Sequence, residues 1–268
     1  MRDEEVNILL TDLIDRYGYD FTEYSKASLK RRMQRLYELD AFPSFAEFRF
    51  RIRNDEIYLR RFVEEITVNV TEMFRDPHFY RCLRSKVLPV LATYPLIRIW
   101  HAGCSTGEEV YSMAILLKEA GLLEKSLLYA TDINPDVLEK AEKGMFPLAQ
   151  MKLHSENYVA GGGREDFSSY YTSRYGQALF NRSFRKRMIF ATHNLVSDGS
   201  FNEFQLILCR NVMIYFEKNL QERVLQLFDN SIEQLGFIGL GAKETLHFSS
   251  IAGNYKQLGK EKLWRKTH

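Results

Sequence analysis

The stretch Leu96-Ile-Arg-Ile-Trp-His-Ala-Gly-Cys-Ser-Thr-Gly107, followed by residues 108–119, decides the fold. Leu96–Trp100 is a short run of β-type residues, and it leads into a loop that contains Gly103 and Gly107. After the loop, apolar residues recur with helical spacing until Gly121 interrupts the pattern. A strand, a glycine loop and a helix in this order predict a turn where the backbone approaches a ligand and the helix N-terminus offers free amides.

The same alternation of strand and helix continues along the chain. A second strand, Leu127–Thr131, ends at Asp132, and a helix is predicted over residues 136–143. Further strands are predicted at 187–191, 204–208 and 236–240, with a helix over 217–234. Strands that alternate with helices predict an α/β fold with a doubly wound, mostly parallel sheet covered on both faces.

The beginning of the chain has a different pattern. Apolar stripes at helical spacing, with no alternating run before residue 90, predict a small helical domain over residues 1–75. A helical linker over 76–95 follows, and the α/β domain occupies 96–268. Within it, a polar, tyrosine-rich segment at about 150–187 contains Gly161-Gly-Gly163 and predicts an excursion from the main fold.

Composition excludes several classes of protein. A net charge of +2 over 268 residues does not indicate a nucleic-acid binder. No apolar run approaches the roughly 18 residues of a membrane helix, and the acidic N-terminus lacks the layout of a signal peptide. Cys82, Cys104 and Cys209 lie far apart, and the histidines lack metal-ligand spacing. We therefore expect a cytoplasmic protein with no metal site and no membrane insertion.

Asp132 makes the glycine loop more informative. In doubly wound sheets, a carboxylate at the end of the second strand can accept hydrogen bonds from both ribose hydroxyls of an adenosine cofactor. Asp132 could instead cap the helix that begins near Pro135, and both roles could hold. The loop alone is compatible with a plain tight turn, because it is not GxGxxG and lacks the lysine of a P-loop.

Four segments resemble the successive signature blocks of the CheR chemotaxis receptor methyltransferases. They are Thr67-Val-Asn-Val-Thr-Glu-Met-Phe-Arg-Asp76, Ala102-Gly-Cys-Ser-Thr-Gly-Glu-Glu109, Ala130-Thr-Asp-Ile-Asn134 and Cys209-Arg-Asn-Val-Met-Ile-Tyr-Phe216. They occur in the family's order over most of the chain, and the initial helical domain matches the family's architecture. Two departures are Val110, where many members have proline, and Gly241-Ala-Lys-Glu-Thr-Leu246, which replaces a more usual Gly-His-Ser-Glu stretch.

The resemblance implies S-adenosylmethionine as the cofactor and S-adenosylhomocysteine as its product. The implied cofactor-binding residues are Asn69, Thr71, Arg75, Gly103, Glu109, Asp132, Asn194, Leu195, Asn211 and Val212. Alternatives remain open for some of them. Asn194 and Asn211 could be turn or cap residues, Arg75 could pair with Asp76 or Glu72 on the surface, and Thr71 could cap a helix.

The resemblance also implies the reaction, which is methylation of glutamate side chains in chemoreceptors during chemosensory adaptation. A glutamate carboxylate, with a pKa of about 4.3, is ionised at neutral pH and needs no strong general base. Arg75 and Tyr215 match the family's active-site arginine and tyrosine, and we expect them to position the reacting carboxylate. Tyr215 could alternatively be a core aromatic, because Ile214 and Phe216 flank it.

A cationic helix face is predicted around Lys26, Lys30, Arg31 and Arg35. It is either a solvated surface or a docking site for the acidic helical methylation region of a receptor. Two other functions stay open: a methyltransferase that acts on nucleic acid, and a non-catalytic scaffold that senses the cofactor. Arg210-Asn-Val-Met stands where nucleic-acid enzymes usually carry Asn/Asp-Pro-Pro-Tyr, so we expect no nucleic-acid partner. We also expect a monomer.

Overall fold

The computed structural model describes residues 1–67 and 71–267. They form two compact units. The smaller unit holds the described residues of Met1–Asn69 together with Tyr215–Val224, and the larger holds those of Val70–Ile214 and Leu225–His268. Over the described ranges, no helix is long and apolar enough to cross a membrane.

The smaller unit is built on four helices, α1 Asp3–Tyr17, α2 Lys26–Leu39, α3 Phe45–Asn54 and α4 Glu56–Ile66. Local signals set several of their ends. Gly18 ends α1 in a left-handed conformation with a φ of 73°, and the side chains of Ser44 and Asp55 accept backbone amides at the starts of α3 and α4. The apolar stripes of the helices meet in a core that includes the fully buried Leu9, Met33, Phe48 and Phe62.

The larger unit begins with α5 Pro77–Cys82, a π-helical turn Leu83–Val87, and α6 Leu88–Leu91. The alternating elements that follow are β1 Ile97–Ala102, α7 Glu108–Glu119, β2 Ser126–Asp132, α8 Pro135–Lys143, β3 Met145–Pro147, α9 Met151–Ala160, β4 Tyr171–Arg174, β5 Gln177–Phe180, α10 Arg182–Arg185, β6 Met188–Thr192, β7 Phe204–Cys209, α11 Lys218–Ser231, β8 Ile232–Leu240, β9 Tyr255–Gln257 and β10 Leu263–Lys266. The first residues of α11 belong to the smaller unit.

The main sheet has the strand order β6-β2-β1-β7-β8-β10-β9. β1 pairs in parallel with β2 on one side and with β7 on the other, and β2–β6 and β7–β8 are also parallel. β10 pairs antiparallel with its neighbours β8 and β9. The predicted fold class, a doubly wound sheet after a small helical domain, is confirmed. The strand order reverses between β1 and β7, and ligands of such sheets bind outside the carboxyl ends of the strands at this point.

The predicted helix over 217–234 is too long. Helix α11 ends at Ser231, and Ile232 already pairs with Phe204 of β7. Pairing within the sheet therefore overrides the helical periodicity of residues 232–234. The strands β9 and β10 were not predicted.

The segment at 150–187 contains α9, β4 and β5, and with the preceding strand β3 Met145–Pro147 it forms a separate antiparallel sheet with the order β3-β5-β4. Although this part of the chain is polar in composition, its interior is aromatic. Tyr158, Phe167 and Phe180 are buried, and the ring of Phe167 contacts those of Tyr158 and Phe180. The excursion is thus a folded part of the larger unit with its own apolar packing.

Candidate cofactor-binding site

The glycine loop folds around the end of β2. The backbone N–H groups of Gly103 and Cys104 both donate to the carbonyl of Thr131, at 2.8 and 2.9 Å. Gly103 has a φ of 75°, and a Cβ atom at this position would lie 2.6 Å from Cγ2 of Val212. Both the conformation and the close approach require glycine. The contact brings together two predicted cofactor-binding residues, one after β1 and one after β7.

Asp132 fixes the same loop through its side chain. Its Oδ2 accepts the amide of Ser105 at 2.9 Å, and its Oδ1 accepts the amide of Asn134 at 3.0 Å. The cap of α8 is Asn134, whose Oδ1 accepts the amide of Asp136 at 2.9 Å, so the alternative that Asp132 caps this helix is wrong. Burial raises the pKa of Asp132, while the amide hydrogen bonds from Asn134 and Ser105 act in the opposite direction.

Asn194 and Leu195 follow the end of β6, next to Asp132. The amide of His193 donates to the carbonyl of Asp132 at 3.1 Å, which joins the ends of β6 and β2. Asn194 adopts a turn in which its Oδ1 accepts the amide of Val196 at 3.0 Å. The alternative that Asn194 is a turn residue is therefore correct for its side-chain oxygen. Leu195 is half-buried.

The segment after β7 is held by Glu244, which the sequence analysis did not select. Backbone amides donate to both oxygens of this carboxylate: those of Asn211 at 3.0 Å and Gly241 at 2.6 Å to Oε2, and those of Val212 at 3.0 Å and Ile214 at 3.2 Å to Oε1. Glu244 is only 6% exposed, and burial raises its pKa despite these hydrogen bonds. Its place a few residues after a predicted strand was the signal available in the sequence.

Thr71 and Arg75 belong to a segment packed on α7. The amide of Phe74 donates to Oγ of Ser112 at 3.0 Å, and the side chain of Phe74 is fully buried. The next helix, α5, begins only at Pro77, so the reading of Thr71 as a helix cap is wrong. Asn69 lies outside the described residues.

Glu109, in the first turn of α7, lies between two partners. Nδ1 of His101 is 2.9 Å from its Oε1, and Nη1 of Arg210 donates to its Oε2 at 3.3 Å. Burial alone would raise the pKa of Glu109, but the His101 hydrogen bond and the Arg210 charge lower it. Nη2 of Arg210 also donates to the Arg75 carbonyl at 2.9 Å and to Oδ2 of Asp76 at 2.7 Å. Arg210, a second residue that the sequence analysis missed, thus links Glu109 to the Arg75 segment.

Tyr215 and the cationic residues lie in the smaller unit. Tyr215 is half-buried, and the guanidinium of Arg32 lies 4.9 Å from its ring centre. The carbonyl of Tyr215 accepts the amide of Ser25 at 2.8 Å. On α2, Lys26, Arg31 and Arg35 are exposed, whereas Lys30 is paired with Asp3 at 2.6 Å.

The residues at the carboxyl ends of β1, β2 and β7 fit an adenosine cofactor. Gly103 lets the loop after β1 pack directly against Val212, and Asp132 supplies a carboxylate at the end of β2, where folds of this class place a ribose. Oγ of Ser105, in the same loop, is buried and has no hydrogen-bond partner within the described ranges. This fold and this loop geometry are typical of doubly wound domains that bind a nucleotide-type cofactor at the switch point of the sheet.

Comparison with known proteins identifies the family. Residues 69–262 match the model of the CheR methyltransferase SAM-binding domain, and residues 4–67 match that of the CheR all-alpha domain. The chain belongs to the CheR methyltransferase family, and S-adenosylmethionine is its cofactor.

Three relatives illustrate the similarity. Cher3 of Pseudomonas putida is 44% identical over 267 residues, which cover 99% of this chain and 97% of Cher3. The chemotaxis protein methyltransferase of Listeria innocua is 31% identical over 85% of each chain. Chemotaxis protein methyltransferase 2 of Pseudomonas aeruginosa is 32% identical over 87% of this chain and 82% of the relative.

Proposed function

We propose that this protein transfers the methyl group of S-adenosylmethionine to glutamate side chains of chemoreceptors and so takes part in chemosensory adaptation. The observation that carries this proposal is its similarity, over more than four-fifths of both chains, to proteins named chemotaxis protein methyltransferase. A receptor's cytoplasmic helical methylation region is then the substrate.

Ten residues are assigned to cofactor binding: Asn69, Thr71, Arg75, Gly103, Glu109, Asp132, Asn194, Leu195, Asn211 and Val212. Gly103, Asp132 and Val212 support this assignment best. A Cβ atom on Gly103 would clash with Val212, so the segments after β1 and β7 lie against each other there, and Asp132 holds the loop after β1. Asp132 is assigned to the ribose hydroxyls, since its carboxylate offers about four acceptor sites and the amides of Ser105, Asn134 and Ile133 do not use all of them.

S-adenosylmethionine, when bound, supplies a methyl group on a sulfonium, which leaves without protonation. The protein's task is to bind the glutamate, align its oxygen and exclude water. Because this carboxylate is ionised at neutral pH, no general base is required. Arg75 and Tyr215 are assigned to hold and orient the carboxylate, a guanidinium and a hydroxyl both being donors to carboxylate oxygen.

The acceptor atom is tested with cofactor labelled in the methyl group. Wild-type protein is incubated with labelled cofactor and receptor-containing membranes, and the labelled receptor is then treated with alkali. A glutamate methyl ester releases its label as volatile methanol, whereas N-methyl and C-methyl products retain it. Alkali-stable label on protein, or label on RNA, would refute the glutamate assignment and leave cofactor binding intact.

The roles of Arg75 and Tyr215 are tested by Arg75→Ala and Tyr215→Phe. Each variant should lower kcat more than tenfold, roughly the effect of losing one charge-assisted or hydroxyl hydrogen bond to the reacting group, while its melting temperature changes little. Tyr129→Phe is the matched control, because Tyr129 lies on β2 and its hydroxyl accepts from Asn202 at 3.2 Å. Wild-type turnover in both variants would reduce Arg75 and Tyr215 to structural residues.

The α2 surface formed by Lys26, Lys30, Arg31 and Arg35 is assigned to docking of the acidic methylation helices. Three of these cations are exposed and one is already paired with Asp3. Complementary charge speeds encounter between partners, and added salt weakens the effect.

The triple reversal Lys30→Glu, Arg31→Glu and Arg35→Glu should therefore lower kcat/KM at low salt, with kcat nearly unchanged. Reversal of the exposed Lys140, Lys256 and Lys260 makes the same change in net charge elsewhere and should have little effect. If the two triple variants behave alike at every salt concentration, the α2 surface is merely a solvated face.

A further inference from the structure

Arg210 has an unusual position for a charged side chain. The side chain is 3% exposed, and its guanidinium carbon lies 4.2 Å from the ring centre of Phe79. Burying a guanidinium costs free energy unless charges and hydrogen bonds compensate it. Here the compensation comes from two carboxylates, Asp76 at 2.7 Å and Glu109 at 3.3 Å, and from the carbonyl of Arg75 at 2.9 Å.

The Arg75 end of this arrangement is conformationally demanding. The residues on either side of Arg75 have left-handed backbones, with a φ of 52° at Phe74 and 58° at Asp76. Non-glycine residues adopt this region at a cost and keep it only where surrounding contacts fix them. One nitrogen of Arg210, Nη2, donates to both the Arg75 carbonyl and the Asp76 carboxylate. The guanidinium group of Arg210 therefore fixes the backbone that carries the Arg75 side chain.

The other terminal nitrogen of the Arg210 guanidinium, Nη1, donates to the carboxylate of Glu109 on α7. The second oxygen of Glu109 is occupied by His101, which is fully buried on β1. The direction of the Glu109 carboxylate is thus set from two sides. Arg210 itself directly precedes Asn211 and Val212, whose amides Glu244 holds.

We propose that Arg210 is a positioning residue of the cofactor site, which holds Arg75 and Glu109 in register with the loop after β7. The inference rests on the assignment of Arg75 and Glu109 to cofactor binding made above. A lysine has the same charge but a single nitrogen, and it cannot bridge the two segments as a planar fork does. Charge alone is therefore insufficient for this role.

The test compares Arg210→Lys with Arg84→Lys by calorimetric titration with S-adenosylhomocysteine and by thermal unfolding. Arg84 is the matched control, because it donates to one backbone carbonyl, that of Gly161 at 3.1 Å, and pairs with the carboxylate of Glu119 at 2.5 Å. Both variants should unfold at lower temperature than wild type. Arg210→Lys alone should weaken binding of S-adenosylhomocysteine by about tenfold or more, the scale of one lost charge-assisted hydrogen bond.

Equal affinity of Arg210→Lys and Arg84→Lys would overturn the proposal and leave Arg210 with a purely structural role. A second variant, Asp76→Asn, removes one partner of Arg210 and retains a residue that tolerates the left-handed backbone. It should weaken S-adenosylhomocysteine binding by a few-fold, and unchanged binding in a folded protein would count against the proposal.

A double variant separates this proposal from the assignment of Arg75. If Arg210 acts through Arg75, Arg210→Lys should weaken binding less in an Arg75→Ala background than in wild type. Full additivity would contradict the proposal. An Arg75→Ala variant that binds S-adenosylhomocysteine as wild type does would instead remove Arg75 from the cofactor site, whatever the effect of Arg210→Lys. Failure of wild type to methylate glutamate would affect neither result, because binding is measured without an acceptor.

Discussion

The half-buried Asp132 and the buried Glu244 both hold loops at the carboxyl edge of the same sheet, yet they use their oxygens differently. Glu244 accepts two amides on each oxygen, from Asn211, Gly241, Val212 and Ile214. Asp132 accepts one amide on each oxygen, from Ser105 and Asn134. Since a carboxylate offers about four acceptor sites, the backbone saturates Glu244 and leaves Asp132, to which the amide of Ile133 also contributes, with room for a further donor.

This difference separates the structural role of Glu244 from the ligand-binding role proposed for Asp132, whereas the direction of the pKa shift is the same in both. Burial raises the pKa of both groups, and amide hydrogen bonds oppose that rise in both. The two carboxylates differ in their capacity to accept a hydrogen bond from a further donor. A ribose with two hydroxyls needs such capacity, and Asp132 has it at the strand end where it would be used.

The largest expected effect is on stability, from Glu244→Gln. The new amide nitrogen would face two backbone N–H donors in place of an acceptor oxygen, and we expect the free energy of unfolding to fall by about 3 kcal/mol. Urea denaturation of Glu244→Gln and of the exposed control Glu203→Gln measures it. A loss below about 1 kcal/mol would mean that Glu244 is not saturated in solution, and the contrast with Asp132 would fail.

Asp132→Asn should have the opposite profile, with a smaller effect on stability and a larger one on the cofactor. The amide has one acceptor oxygen in place of two, so we expect S-adenosylhomocysteine binding to weaken by about 1–3 kcal/mol. Isothermal titration calorimetry gives the affinity, and the urea midpoint of the same sample serves as the control. Wild-type affinity in a destabilised Asp132→Asn protein would remove Asp132 from the cofactor site and leave it a structural acid like Glu244.

A third carboxylate, Asp12 in the smaller unit, extends the comparison to an acid held by a charge. Nε and Nη2 of Arg49 donate to Asp12 at 2.6 and 2.9 Å. The Arg49 hydrogen bonds lower the pKa of Asp12, against the effect of burial. A lowered folded-state pKa stabilises the protein above the unfolded-state value of about 3.9, and this contribution disappears as pH falls through the folded-state pKa.

Asp12→Asn should therefore lower the free energy of unfolding by about 1 kcal/mol at pH 7, and the difference from wild type should vanish in strong acid. Denaturation midpoints measured from pH 7 down to about pH 3 provide the check. A difference that stays constant over this range would show that the Arg49 pair makes no pH-dependent contribution.

The sequence predicted much of the fold because its signals were local. The strand before Gly103, the acid at the end of β2, and the helical stripes of the first four helices are each visible within a dozen residues. The prediction from sequence extended α11 to residue 234, because residues 232–234 keep helical spacing. In the structure, Ile232 instead pairs with Phe204, which lies 28 residues earlier in the chain. The antiparallel strand β10 likewise depends on β8, across an intervening loop.

For the site, the sequence by itself determined which residues follow the strands: Gly103 after β1, Asp132 at the end of β2, and Asn211 after β7. These positions could be predicted because the residues that mark the end of a strand lie next to that strand in the sequence. The tertiary structure alone decided that Glu244 holds the loop after β7 and that Arg210 joins Arg75 to Glu109. The physical reason is that hydrogen-bond partners far apart in the chain meet only when the sheet order is known. Local pattern carries no information about which distant donor will saturate a buried acid.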